Sequence, residues 1–228
     1  MIDASGLFST SPDYGRVGAS LLDAATSVGF FYVAGHCIDE RTMEWAFEVS
    51  RRFFAMPPEQ RESVRAVEYH RGLIAPGVSR MEGHRIPDLK ESYIWGVDYP
   101  PGNPDFRSGN ELLAPNRWPE SMPEMREALV AYLDAAHRCG TALLRAIAAS
   151  LDIEPDYFVG RFRNPVSRGS LIHYPPQPSK AGDELFGVSP HTDYGTLTLL
   201  AQDDTGGLRV QVRTAAGSRP IRSPGPWS

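Results

Sequence analysis

The sequence has few cysteines, no long apolar run and no excess of positive charge, and each absence excludes a class of protein. Two cysteines, Cys37 and Cys139, are too few for a disulfide framework or a four-ligand zinc site. No apolar run approaches the roughly 18 residues of a membrane span, and the N-terminus lacks the basic-then-apolar pattern of a signal peptide. The formal net charge of −5 is opposite in sign to that of a dedicated nucleic-acid binder. We therefore expect a cytoplasmic protein with no membrane and no nucleic-acid partner.

The composition is typical of a globular protein, and the predicted helices mostly precede the predicted strands along the chain. Apolar residues make up 41% of the chain and charged residues 22%, which excludes a disordered chain. Helices are predicted over residues 12–28 (with Ser11 as the N-cap), 39–55 and about 122–151, and early strands over 30–33 and 91–95. After Asn164, turns separate short predicted strands at 170–174, 187–191, 196–200 and 207–212. This order predicts an α+β fold.

A histidine and an aspartate two residues apart carry the clearest chemical signal. His191 and Asp193 lie at the edge of a predicted strand, in the sequence SPHTDYGTLTLL. Strand residues two apart send their side chains to the same side, so an imidazole nitrogen and a carboxylate could bind one divalent metal ion. Such a pair is two-thirds of the 2-His-1-carboxylate facial triad of non-haem Fe(II) oxygenases. On these residues alone, a structural hydrogen bond between histidine and aspartate explains the spacing equally well.

Five sequence segments, taken in order, resemble one enzyme family. They are DAATSVGFFYVAGH (23–36), FFAMPPEQ (53–60), PDLKE (87–91), RGSLIHYPP (168–176) and HTDYGTLTLLAQDDTGGLRV (191–210). Each is similar to a motif of the isopenicillin N synthase-like family of 2-oxoglutarate- and Fe(II)-dependent oxygenases. Five motifs in the correct order are far more specific than any one of them, so the chain is identified as a member of this family.

The resemblance implies Fe(II) as the metal, 2-oxoglutarate as the co-substrate, and O₂ and a small organic molecule as the other partners. His191 and Asp193 match the first two iron ligands of the family. Tyr174 matches a tyrosine that lines the 2-oxoglutarate site, although Ile172 stands where the family has asparagine. No catalytic residue beyond the metal ligands is implied. His173 should point to the other face of its strand and is expected to be structural.

The implied function is that of a dioxygenase that oxidises a small organic molecule, with succinate and CO₂ as co-products; an ethylene- and succinate-forming type is within the family's range. The family places a second histidine ligand and a co-substrate arginine after the GGLRV turn (206–210), whereas no histidine follows His191 here. The alternative is a catalytically inactive fragment that binds a partner through an open sheet edge. A two-ligand zinc hydrolase is disfavoured because catalytic zinc normally keeps three protein ligands.

These patterns predict three regions along the chain. Residues 1–118 form an N-terminal oxygenase region of helices and short strands, and residues 119–212 form a long scaffold helix and the first part of a jelly-roll 2-oxoglutarate/Fe(II) oxygenase domain. The double-stranded β-helix is then incomplete, since four strands are too few for a jelly roll of about eight. Residues 213–228 form an aberrant tail, which we do not expect to pair as a central strand. Its Arg, Pro, Ser and Gly bias is that of GC-rich DNA read out of frame, so we expect a frameshift product.

Overall fold

The structure is a computed structural model that describes residues 1–66, 71–80, 85–100, 102–162, 164–176, 186–214 and 217–222. Its helices are α1 (Tyr14–Ser27), α2 (Glu40–Ala55), α3 (Pro58–Glu62), α4 (Pro104–Arg107) and α5 (Glu124–Ser150), with 3₁₀ turns at Ser5–Phe8, Glu111–Leu113 and Val159–Phe162. Its strands are β1 (Ile2–Asp3), β2 (Val33–Ala34), β3 (Gly72–Ile74), β4 (Glu91–Gly96), β5 (Arg168–His173), β6 (Arg209–Thr214) and β7 (Gly217–Arg222). The predicted α+β class is confirmed. Within the described ranges, every helix is too short or too polar to span a bilayer.

The chain divides into two compact units, each assembled from separate stretches of sequence. The first comprises Met1–Cys37, Ala136–Arg163 and Gly195–Ser228, and the second comprises Ile38–Ala135 and Asn164–Tyr194. The first unit contains the parallel pair β1–β2 and the antiparallel pair β6–β7. The second contains the antiparallel sheet β3–β4–β5, in which β5 pairs with β4 from a distant part of the chain. The boundaries of the two units therefore differ from the boundaries of the three regions predicted from the sequence.

The long helices lie close to where the sequence predicts them, and aspartates cap the first two. The side chain of Asp13 accepts a hydrogen bond from the backbone N–H of Arg16, and that of Asp39 accepts one from Arg41. Such caps satisfy N–H groups that a helix leaves without a partner. The first helix begins later than predicted because Asp13, and not Ser11, provides the cap.

The core of the second unit is built around two aromatic side chains of β4. Tyr93 and Trp95 are almost completely buried, and the ring of Phe53 on α2 meets that of Tyr93 edge-on at 5.0 Å between centroids. The indole N–H of Trp95 donates to the carbonyl of Leu129 on α5 at 3.2 Å. This bond satisfies a buried polar group and fastens the helix to the sheet.

Gly169 on β5 lies opposite Trp95 in the strand register and leaves no room for a side chain. A Cβ atom added there would lie 2.2 Å from Cζ2 of Trp95. Because overpacking a buried site typically costs about 1–3 kcal/mol, we expect Gly169→Ala to lower the free energy of unfolding by about 2 kcal/mol in urea denaturation. Gly160→Ala is the control, since nothing lies within 4 Å of its added Cβ. Equal stability of the two variants would contradict the prediction.

Two of the predicted strands are wrong, and of a third, predicted over 30–33, only Val33 lies in a strand, β2. Residues 187–191 and 196–200 form no strand, whereas the predictions at 91–95, 170–174 and 207–212 correspond to β4, β5 and β6. Among the described residues, one backbone bond reaches the first of these segments, from Lys90 N to Gly187 O at 3.0 Å, and another reaches the preceding residue, from Leu89 N to Phe186 O at 3.3 Å. An apolar segment becomes a stable strand only when a neighbour pairs along it. Strand β3 was not predicted because it is only three residues long.

The tail contributes one strand. β7 pairs with β6 as an antiparallel hairpin in which Val210 lies opposite Ile221 and Gln211 opposite Pro220. In the described part of the chain each of the two has a single hydrogen-bonded neighbour, so β7 is an edge strand. A proline is tolerated there because an edge strand needs only half of its N–H groups. The tail thus forms a strand that the sequence did not predict, although not a central one.

Candidate functional site

His191 and Asp193 meet in a loop at the end of the second unit. His191 Nε2 lies 3.3 Å from Asp193 Oδ1, and the two side chains are 35% and 50% exposed. The loop has no regular secondary structure, so the pairing does not arise from the alternation of a strand. The two groups are nevertheless adjacent and accessible to a metal ion from solvent.

The backbone of the loop fixes which imidazole nitrogen can bind a metal. His191 Nδ1 lies 2.8 Å from the carbonyl oxygen of Ser189. A carbonyl oxygen can only accept, so Nδ1 carries the hydrogen and Nε2 of the neutral ring keeps its lone pair, on the side of Asp193. Histidine ligands commonly donate their other N–H to a backbone carbonyl in this way.

A buried carboxylate that the sequence analysis did not single out holds the same loop. Asp88 precedes β4 in the sequence and is completely buried. Its Oδ1 accepts a hydrogen bond from the backbone N–H of Ser189 at 2.9 Å. In the sequence, the segment PDLKE is recognisable only as a family motif. Asp88 and Ser189 are 101 positions apart, so no local pattern indicates that they are in contact.

Tyr174 follows β5 and contacts the loop through Gly187. A Cβ atom added to Gly187 would lie 2.6 Å from Cδ1 of the Tyr174 ring, so only glycine allows this approach. Tyr174 is about half exposed (49%), and partial desolvation by the neighbouring groups raises its pKa above the usual value, while the negative charge of Asp88 raises it further. The hydroxyl group therefore keeps its proton at neutral pH and can donate a hydrogen bond.

His173 has a structural role, as predicted. Its Nδ1 lies 2.7 Å from Oε1 of Glu91, and its ring stacks on that of Phe54 at 5.1 Å. The other carboxylate oxygen of Glu91 accepts a hydrogen bond from Arg61 at 2.6 Å. The side chain of His173 therefore already contacts Glu91 and Phe54 within the second unit.

The pair His191 and Asp193 offers the nitrogen and oxygen donors that suit Fe(II). In the described part of the chain, no group of three or more His, Cys, Asp or Glu side chains could hold a metal ion. These residues therefore fit two positions of a facial triad, and no described residue supplies the third.

Comparison with protein families decides where the chain belongs. Residues 1–121 match the family described as the non-haem dioxygenase in morphine synthesis N-terminal region, and residues 165–224 match the 2OG-Fe(II) oxygenase superfamily. The chain belongs to the 2-oxoglutarate- and Fe(II)-dependent oxygenases. This enzyme family uses Fe(II) and 2-oxoglutarate. The second match continues past Val212 into the tail.

Curated relatives are longer than this chain. It is 36% identical over 195 residues to a 2-oxoglutarate-dependent dioxygenase of Monascus ruber, an alignment that covers 82% of this chain and 59% of the relative. It is 30% identical over 213 residues to a 2-oxoglutarate-Fe(II) type oxidoreductase of Emericella nidulans, with 88% and 61% covered. The chain thus spans about three-fifths of the length of these relatives.

Solved structures share its fold. A 2OG-Fe(II) oxygenase family protein from Caulobacter crescentus has a TM-score of 0.78 and 31% identity, covering 93% of this chain and 68% of its own. A full-length protein of Neurospora crassa, solved in complex with alpha-KG, has a TM-score of 0.77 and 28% identity, covering 97% and 68%. These neighbours have the jelly-roll fold of the family.

Proposed function

We propose that this chain acts in a non-haem Fe(II)- and 2-oxoglutarate-dependent dioxygenase that oxidises a small organic molecule, with succinate and CO₂ as co-products. The observation that carries the proposal is the 3.3 Å approach of His191 Nε2 to Asp193 Oδ1, with the Nδ1 hydrogen held by Ser189. The bound metal would supply the activation of O₂. The three sheets of two, three and two strands in the described residues would form part of the jelly roll.

In this proposal the protein supplies geometry and charge. His191 contributes a neutral nitrogen ligand and Asp193 one negative charge, so a bound Fe(II) retains a net positive charge that attracts an anionic co-substrate. In the family, the third ligand and the co-substrate arginine follow the GGLRV turn (206–210). No histidine follows His191 in the sequence, so His191 and Asp193 are proposed as two of the three protein ligands of the metal site.

Tyr174 is proposed to line the 2-oxoglutarate site as a hydrogen-bond donor to a carboxylate of the co-substrate. A hydrogen bond to a charged group contributes about 1.5–3 kcal/mol, so we expect Tyr174→Phe to weaken 2-oxoglutarate binding about tenfold in isothermal titration calorimetry with Mn(II) present. Tyr194→Phe is the matched control, because Tyr194 is 98% exposed. Unchanged affinity in Tyr174→Phe would assign Tyr174 a packing role only.

An anaerobic titration with Fe(II) and 2-oxoglutarate tests the proposed function. Chelation of iron by 2-oxoglutarate at the site would produce a weak visible charge-transfer band. If the chain acquires neither iron nor the band, the proposed function is wrong for this chain.

The second candidate function is that of a catalytically inactive module that binds a partner. The observation that favours it is the face of β5 that carries Ile172 and continues to Tyr174, both of them exposed. In the described residues β5 pairs only with β4, so its other edge can accept a strand. This function predicts partner binding without iron, and the same titration therefore separates the two.

A further inference from the structure

We propose that Asp88 is a positioning residue for His191, acting through Ser189 so that Nε2 of the imidazole faces the metal position. The inference rests on the proposed function, because it assigns a role to a residue that touches neither the metal nor the co-substrate. It joins two hydrogen bonds that meet at Ser189, one to its N–H and one to its C=O.

The first part of the argument is the continuity of these contacts. Asp88 Oδ1 accepts from Ser189 N at 2.9 Å, and Ser189 O accepts from His191 Nδ1 at 2.8 Å. Between Ser189 and His191 lies Pro190, whose ring fixes its φ angle and stiffens the connection. The orientation of Ser189 is therefore transmitted to the imidazole two residues later.

The second part is that Asp88 is itself held rigidly. Its backbone N–H donates to Ser79 O at 2.9 Å, and its carbonyl accepts from Gly77 N at 3.0 Å. The bonds from Leu89 and Lys90 to Phe186 and Gly187 place the start of the loop, and the bond to Ser189 is the next attachment toward His191. Asp88 thus connects the segment that leads into the central strand β4 to the loop of His191.

The third part is that the carboxylate has no other hydrogen-bond partner that explains its burial. Asp88 is completely buried, and within the described part of the chain its Oδ2 has no hydrogen bond. Lys90 forms an ion pair with it, with Nζ 3.8 Å from Oδ2. A buried carboxylate is unfavourable unless it is paired and hydrogen-bonded, and the one hydrogen bond that its side chain makes with the described residues goes to the residue proposed to orient His191.

The tautomer of His191 in the metal-free chain is the first measurement. Long-range ¹H–¹⁵N correlation spectra of the neutral imidazole should show the Nδ1–H form in the unaltered chain. Asp88→Ala should give a mixture of both tautomers, because Ser189 is released, whereas Asp88→Asn should restore the Nδ1–H form, because its amide oxygen can accept the same bond. Glu91→Gln alters another buried carboxylate, which bonds Arg61 and His173 and not Ser189, and should leave the tautomer unchanged.

The affinity for Mn(II) alone is the second measurement, read from the EPR signal of the free ion. Loss of a group that orients a metal ligand typically weakens binding about 10- to 100-fold, so Asp88→Ala should bind Mn(II) at least about tenfold more weakly. Asp88→Asn and Glu91→Gln should stay close to the unaltered chain. A Glu91→Gln loss as large as that of Asp88→Ala would show a general structural effect and overturn the inference, as would an unaltered tautomer in Asp88→Ala.

Failure of the proposed function would look different. In that case the unaltered chain would bind no Mn(II), while the tautomer would still depend on Asp88. If Asp88→Ala does not fold, hydrogen exchange in the unaltered chain decides: slow exchange of the Ser189 amide supports its bond to Asp88, and exchange at the rate of a free amide contradicts it.

Discussion

Replacement of His191 or Asp193 by alanine is expected to abolish metal binding by this chain. The two side chains lie 3.3 Å apart, and the described residues contain no group of three potential ligands that could compensate. Loss of a residue that only orients a ligand already costs about 10- to 100-fold in affinity, so loss of a ligand should cost more than about 100-fold. Anaerobic equilibrium dialysis against Fe(II), with bound iron measured after separation, checks the result.

His173→Gln is the matched control for this experiment. His173 is also a partly exposed histidine of the second unit, but its Nδ1 is bound to Glu91 and it lies outside the candidate site. Its replacement should leave iron binding as it is in the unaltered chain. Stoichiometric Fe(II) retained by the double variant of His191 and Asp193 would place the metal site elsewhere in the chain.

The helices could be predicted from the sequence because the signals that form them are local. Asp39 caps α2 two residues before Arg41, and the apolar residues of its inner face, such as Val49 and Phe53, recur at helical spacing. Residues 196–200, TLTLL, combine apolar and β-branched residues as a strand does, and residues 187–191 follow the same turn-bounded pattern with Val188 alone, yet neither segment is a strand. Strand formation depends on a paired neighbour, which is a non-local property that the segment itself does not contain.

The same distinction applies to the site. The spacing of His191 and Asp193 is visible in the sequence, and so is the position of Tyr174 at the end of a predicted strand. The bond from Asp88 to Ser189 connects residues 101 positions apart, and the bond from His173 to Glu91 connects residues 82 positions apart. The two candidate ligands are thus close together in sequence, whereas the residue that binds their loop, Asp88, comes from a distant part of the chain.

The largest change in stability is expected from Glu91→Ala. Glu91 is 7% exposed and bonds both Arg61 and His173, at 2.6 and 2.7 Å. Its removal leaves the guanidinium of Arg61 mostly buried without its carboxylate. Removal of one partner of a buried ion pair typically costs about 3–5 kcal/mol, and we expect a loss near the lower limit, about 3 kcal/mol, because Arg61 keeps some contact with water. Urea denaturation of both chains measures the difference in the free energy of unfolding.

Glu62→Ala is the control, because it removes an arginine–glutamate ion pair that is exposed, whereas Glu91→Ala removes one that is buried. Glu62 also binds an arginine, Arg65, at 2.5 Å, but both side chains are largely exposed. Exposed ion pairs contribute little because water and salt screen them, so this variant should unfold at nearly the urea concentration of the unaltered chain. If Glu91→Ala were as stable as Glu62→Ala, the Arg61–Glu91–His173 cluster would not stabilise the second unit, and the strand pairing of β4 and the packing of Tyr93 and Trp95 would account for its stability.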